Sequence, residues 1–160
     1  FIPQLIILII GAAFSGWRPG FIEIVAALMG IGIILTFALG LGLAFGAINV
    51  AYRDIENIVD LILMVAIWFS PVLYPASTVT NSFGGSSVVT QLYNLNPLTV
   101  AVELFHRAFW WPTASPELQS EHLVDHLMWR GVGTFALCVL ILWIGDRVFQ
   151  RRSRNFAQEL

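Results

Sequence analysis

The sequence predicts an all-α fold, that of a polytopic integral membrane protein, and three observations carry this reading. Of the 160 residues, 58% are hydrophobic and only 11% charged, about half the charge share of an ordinary soluble domain. The apolar residues gather into long runs, at about 1–14, 21–48, 55–74 and 127–149. Between the runs lie stretches dense in Gly, Pro, Asn, Ser and charge, where a chain turns. So much apolar surface has nowhere to go in water, and lipid accommodates it.

As a helix, the first run would measure roughly 21 Å, short of the ~30 Å hydrocarbon core. It reads as the end of a spanning helix whose beginning is missing, followed by a turn at Ser15-Gly16-Trp17-Arg18-Pro19-Gly20. The second run is long enough to cross with tilt, and its single charge, Glu23, lies near one end. Ala38, Gly42 and Gly46 form a row of small residues at four-residue spacing, expected to let another helix approach closely.

The first strongly polar stretch runs from Asn49 to Asn57. Asp54 is expected to cap the next helix, with Glu56 favoured in its first turn by the helix dipole. That helix is expected to run from Ile55 to about Tyr74. Ser70, Pro71 and Pro75 should break it near the outer surface. Four membrane helices are therefore expected, the first of them partial.

Residues 76–91, rich in Ser, Thr, Gly and Asn, read as an exposed loop. Asn96-Pro97 then has the form of an N-cap followed by proline at the first helical position. It opens an amphipathic helix from Leu98 to about Trp111. Thr99, Glu103, His106, Arg107 and Trp110 share one stripe, read as its wet face, with Glu103 and Arg107 at pairing distance in sequence. At roughly 21 Å the helix is too short to span, so it should lie in the interface or re-enter from the same side.

Trp110, Trp111 and Trp129 sit at segment ends, the usual place of interfacial rings. A polar loop leads to the last apolar run, which closes in a tail bearing Arg147, Arg151, Arg152 and Arg154. Placing that tail and the 49–57 loop in the cytoplasm puts five arginines there, counting Arg53, against Arg18, Arg107 and Arg130 outside. The chain thus reads as one transmembrane domain over 1–160, with 75–127 extracytoplasmic and 150–160 a cytoplasmic tail.

Several functions are excluded or disfavoured. All eight basic residues are arginine, so no phosphate-binding loop with its lysine is present, and any nucleotide-driven work must be powered by another polypeptide. A net charge of −2 offers no basic face for nucleic acid. The single cysteine, Cys138, lies in an apolar run and reads as a buried hydrophobe. His122 and His126 have metal-compatible spacing, but Leu123 stands where a zinc protease needs glutamate, and no metal site is expected. Gly84-Gly85-Ser86-Ser87 reads as linker, and no catalytic constellation is found. Ionisable groups at membrane depth, which ion-coupled transporters need, are also missing from the pattern.

The string Asn49-Val50-Ala51-Tyr52-Arg53-Asp54, then a helix ending Phe69-Ser70-Pro71-Val72-Leu73-Tyr74-Pro75, resembles the permease of ABC-2 type exporters. More narrowly it is similar to the polysaccharide branch that exports O-antigen, teichoic acid or galactan. Tyr93-Asn94-Leu95-Asn96-Pro97-Leu98-Thr99 and the closing Asn155-Phe156-Ala157-Gln158-Glu159-Leu160 extend the resemblance along nearly the whole chain. It implies a six-helix permease of which this chain is the C-terminal part, paired with a second copy over two ATP-binding cassette subunits.

The resemblance further implies a lipid-linked polysaccharide as cargo and a bacterial cytoplasmic membrane as the setting. Two short periplasmic gate helices would stand before the last span. On this reading Asn49, Tyr52, Arg53 and Asp54 form the loop that meets the ATPase. The helix from Asn96 and Pro97 to Trp111 serves the gate, with Glu103, Phe105, Arg107, Phe109, Trp110 and Trp111 as its side chains. Phe105, Phe109, Trp110, Trp111, Trp68 and Tyr74 offer ring faces for sugars. An exporter of small hydrophobic molecules built the same way, and a membrane-embedded glycan-processing enzyme using Asp54, Glu56 and Asp60, are the alternatives.

Overall fold

The computed structural model describes residues 2–50, 54–85, 87–115 and 126–153, and every regular element among them is helical. The helices are α1 (Ile2–Phe14), α2 (Phe21–Asn49), α3 (Ile55–Ala66), α4 (Ala76–Phe83), α5 (Val88–Leu95), α6 (Pro97–Phe105) and α7 (Leu127–Ser153). A π-helical stretch, His106–Trp110, and a 3₁₀ turn, Trp111–Thr113, prolong α6.

Two of these, α2 and α7, are long and apolar enough to cross a membrane. At 29 and 27 residues they measure about 43 and 40 Å. Most of their apolar surface faces outward, so neither is the buried core helix of a soluble domain. The protein is an α-helical membrane protein.

Packing between α2 and α7 is close because both present glycine where they meet. A methyl group on Gly40 would lie 2.8 Å from the Leu142 backbone nitrogen, and one on Gly145 would collide with the Gly40 carbonyl. Further along, Gly32 faces the Phe135 ring and Gly131 faces Met29. Residue numbers rise together along both helices, so the two run parallel, and Asn49 and the Arg151–Arg152 pair lie at the same end. The helix contact thus uses Gly40. The expected row, Ala38, Gly42 and Gly46, lies off the α7 contact and is exposed, with open space around both glycines and Gly46 bordering a groove toward α3.

α6 packs between α2 and α7. Ala101 and Phe105 lie on Gly30, whereas Arg107 reaches back to Glu23. As α6 advances, α2 recedes, so the two are antiparallel. Pro97 therefore lies about 20 Å along α2 from Phe21, and the α5–α6 hairpin dips toward the middle of the bundle. Ala26, Ile33, Val100, Ala101, Leu104, Ala108, Phe109, Leu127 and Cys138 form the core around it.

Three local expectations are corrected. The third apolar run is α-helical only to Ala66, not to Tyr74. Residues 76–91 are not an open loop but hold α4 and the start of α5. Their Ser and Thr side chains close the turns locally: the Ser87 hydroxyl accepts from the Thr90 N–H at 3.2 Å, and the Thr90 hydroxyl donates to the Gly84 carbonyl at 2.9 Å. Finally, Asp54 occupies the N-cap position of α3, but its side chain makes no capping bond.

Candidate functional site

The site is where the broken end of α3 meets the start of α6. Proline at 71 carries no N–H and excludes the α conformation from the residue before it. After Ala66 the chain tightens to i→i−3 bonds: Trp68 to Val65 at 3.0 Å, Phe69 to Ala66 at 3.1 Å and Ser70 to Ile67 at 3.4 Å. The carbonyls of Trp68 and Phe69 then stand at an open helix end, and that of Ile67 keeps one lone pair beyond its backbone bond. In a hydrocarbon surrounding, each one left unpaired would cost several kcal/mol.

Side chains satisfy all three. The Ser70 hydroxyl donates to the Ile67 carbonyl at 3.1 Å, and the Tyr74 hydroxyl to the Trp68 carbonyl at 2.7 Å. The Phe69 carbonyl accepts from Asn96 Nδ2 at 2.8 Å and from Thr99 Oγ1 at 3.4 Å. Asn96 serves twice, since its Oδ1 accepts from the Leu98 N–H at 3.1 Å and caps α6. Turning the amide over would break both bonds, which fixes its orientation.

Ser70, Pro71 and Asn96, recognised in sequence as separate features, are thus brought together, with Tyr74 and Thr99 beside them. Ser70 is 3% exposed and Pro71 buried. Pro75 stands at the N-cap of α4, exposed and five residues beyond the knot's centre at Ser70. The break lies level with the middle of α2, because Asn96 sits at the tip of the hairpin. Beside the knot the Tyr74 and Tyr93 rings stack with centroids 6.4 Å apart. Burial pushes the Tyr93 phenol above the ordinary tyrosine range, and Tyr74 adds to the rise.

The other end of α6 is tied to the α1–α2 turn. Gly16, at φ +81°, ends α1: its N–H and that of Trp17 bond back to Ala13 and Ala12, at 3.1 and 3.0 Å. This aims the Trp17 indole, whose Nε1 donates to the Ala108 carbonyl at 2.8 Å while its ring stacks on Phe109 at 5.1 Å. Phe105 and Phe109 stack at 6.0 Å. Arg107 lies 3.5 Å from Glu23 and 4.8 Å from the centre of the Trp111 ring.

Sequence spacing paired Glu103 with Arg107 on a wet stripe, and the structure replaces that arrangement. The π-helical turn adds residues per revolution, so Arg107 swings off the Glu103 row toward Glu23. Glu103 instead lies 3.4 Å from His106 Nδ1. Thr99 and Glu103 are each 1% exposed, so this face is packed inward, and one Glu103 oxygen has no hydrogen-bond partner. Glu103 is therefore a buried ionisable group where the sequence pattern read a wet face. Trp110 and Trp111 remain at the surface end of the segment, part-exposed.

At the opposite end of α3 a groove is lined by Phe45, Gly46, Asn49, Ile55, Glu56, Val59 and Asp60. Asn49 Oδ1 is buried and has no hydrogen-bond partner. Tyr52 and Arg53, expected beside it, lie outside the described residues, as do Glu121, His122, Asp125 and the closing motif from Asn155. Among the described residues no three His, Cys, Asp or Glu side chains gather as a metal site would need. Sequence reasoning missed Trp17, Gly40 and Gly145. Gly16 before Trp17 was the available signal, as a helix-ending glycine.

Taken together, the parallel spans, the helix broken at proline and the short hairpin between them define a polytopic α-helical membrane domain. The family model of the ABC-2 type transporter matches residues 1–110, and the chain belongs to that family. The O-antigen export system permease protein RfbA of Myxococcus xanthus is 28% identical to it over 155 residues, 97% of this chain and 53% of that protein. The chain thus spans about half the length of that relative.

Proposed function

We propose that this chain is part of the permease subunit of an ATP-driven exporter that moves lipid-linked polysaccharide across the bacterial cytoplasmic membrane. The observation that carries the reading is the likeness to an O-antigen export permease along 97% of the chain. It includes the residues of the Ser70–Asn96 knot. The work of hydrolysis falls to a partner ATP-binding cassette subunit holding ATP and magnesium, and the permease itself is not an enzyme.

On this reading the 49–57 loop and the arginine-bearing end of α7 face the cytoplasm, and Asn49, Tyr52, Arg53 and Asp54 meet the ATPase. The parallel run of α2 and α7 supports a common side for these two ends. The open row Ala38, Gly42 and Gly46 is the face offered to a further helix of the permease or to its second copy. The α5–α6 hairpin, with Phe105, Phe109, Trp110 and Trp111, gates the route of the glycan.

The test is reconstitution of the full permease with its ATPase in proteoliposomes loaded with a glycolipid extract. ATP-dependent delivery of polysaccharide to the far side is expected. Stimulation of hydrolysis by small hydrophobic drugs, with no response to glycolipid, would replace this cargo with a drug-like one.

A further inference from the structure

α3 is held at both of its ends by contacts from elsewhere in the chain. Its first turns border the groove shared with Phe45 and Asn49 of α2. Its far end is pinned through the Phe69 carbonyl and the buried Ser70 and Pro71. Between these points Leu61, Ile62, Leu63, Met64 and Val65 are 63, 50, 56, 67 and 51% exposed. α2 and α7, by contrast, touch one another and α6 along their length.

A helix anchored at both ends transmits displacement along its axis. The hydrogen-bond ladder makes a helix stiff in that direction, and from Ile55 to Phe69 the path is about 20 Å. At the far end, two side-chain donors of the hairpin converge on one carbonyl oxygen, from 27 and 30 residues away. Building on the exporter reading above, we propose that α3 is the rod by which the ATPase-facing loop moves the α5–α6 hairpin. Asn96, assisted by Thr99, is the positioning residue that couples the rod to the hairpin.

The two functions of Asn96 can be separated chemically. Asn96→Asp keeps an oxygen for the Leu98 N–H, so α6 stays capped, but offers no donor to Phe69 and sets a carboxylate against its carbonyl. Thr99→Val removes the second donor at nearly constant shape, whereas Thr99→Ser retains it. The full permease bearing each variant is reconstituted with its ATPase, and glycan exported per ATP hydrolysed is measured. Asn96→Asp with Thr99→Val is expected to hydrolyse ATP near the parental rate while export per ATP falls about tenfold, the scale of one charge-neutral hydrogen bond or somewhat more. Thr99→Ser is expected to export like the parent.

A second readout tests the rod in the parental complex itself and does not depend on the cargo. Spin labels at the exposed positions Leu35 of α2, Leu63 of α3 and Leu92 of α5 report distances before and after a non-hydrolysable ATP analogue is added. In the parental complex the Leu35–Leu63 and Leu35–Leu92 distances are expected to change together. In the Asn96→Asp, Thr99→Val protein the first is expected to change alone. Unaltered export per ATP in the double variant overturns the rod. So does hairpin movement without α3 movement in the parent. A parental complex that moves no glycan, yet shows the paired distance change, defeats the exporter reading and leaves the rod standing.

Discussion

Asn96 donates its amide to the Phe69 carbonyl at 2.8 Å across 27 residues of chain, at the point where Pro71 ends the helical ladder. The bond joins two stretches that read separately in sequence, the proline-broken end of an apolar helix and the Asn-Pro start of a short one. Each solves the other's problem: one has spare carbonyls, the other a polar cap at the inner tip of a hairpin.

The α2–α7 contact tolerates no side chain at its centre. Gly145→Ala places a methyl group against the Gly40 carbonyl and is expected to destabilise the folded protein by about 1–3 kcal/mol. Gly133→Ala on the same helix meets nothing within 4 Å and is expected to be neutral or stabilising by up to about 1 kcal/mol. Thermal unfolding of the two variants in one detergent checks the contrast.

The α1–α2 turn depends on a backbone conformation that only glycine adopts cheaply. Gly16→Ala at φ +81° is expected to cost about 1 kcal/mol. Trp17→Phe removes the indole bond to the Ala108 carbonyl but keeps a ring on Phe109, a loss of about 1 kcal/mol. Trp17→Ala removes both and is expected to cost about 3 kcal/mol or more. Melting of the three proteins, read in that order, tests the assignment.

Glu23 and Arg107 are part-buried, with 14 and 24% of their side chains exposed. Glu23→Gln is therefore expected to lower stability by roughly 1 kcal/mol, with the loss shrinking in high salt. Exchanging the charges, Glu23→Arg with Arg107→Glu, is expected to recover part of it. Recovery is incomplete because the arginine then no longer lies over Trp111. A double-mutant cycle measures the coupling directly; a value of zero at low salt would remove the pair from the account.

Glu103 is buried with an oxygen that nothing satisfies. Replacing such a charge by an apolar side chain of similar volume commonly stabilises a fold. Glu103→Met is expected to raise stability by about 1–2 kcal/mol, while Glu103→Ala, which leaves a cavity, is expected to lower it. His106 is largely free to meet solvent and absorbs the change. A Met variant that melts lower than the parent would show that the carboxylate is held by contacts the fold needs.

Much of the local structure was legible in the residues. Pro71 announced a helix break and Asn96-Pro97 a helix start, because each acts on the backbone of its immediate neighbours. The helices α4 and α5 were not legible: each is 8 residues long, too short and polar to leave a periodic signal above a loop's composition. The partner of Arg107 was misread because i,i+4 spacing assumes 3.6 residues per turn, and the π-helical stretch breaks that assumption. The α2–α7 contact was not read for a different reason: Gly40 and Gly42 are equally small, and only the direction of the neighbouring helix distinguishes them.

By itself, the sequence determined that the chain lives in lipid, that its helices are interrupted at proline and restarted at asparagine, and that it binds no nucleotide phosphate through a lysine loop. Composition, backbone restriction and the donor chemistry of single residues suffice for those. Tertiary structure alone decided that Phe69 and Asn96 meet, that Glu103 is buried and that Gly40 rather than Gly42 receives α7. Those outcomes depend on which faces approach, and approach is set by the shapes of all the packed helices together.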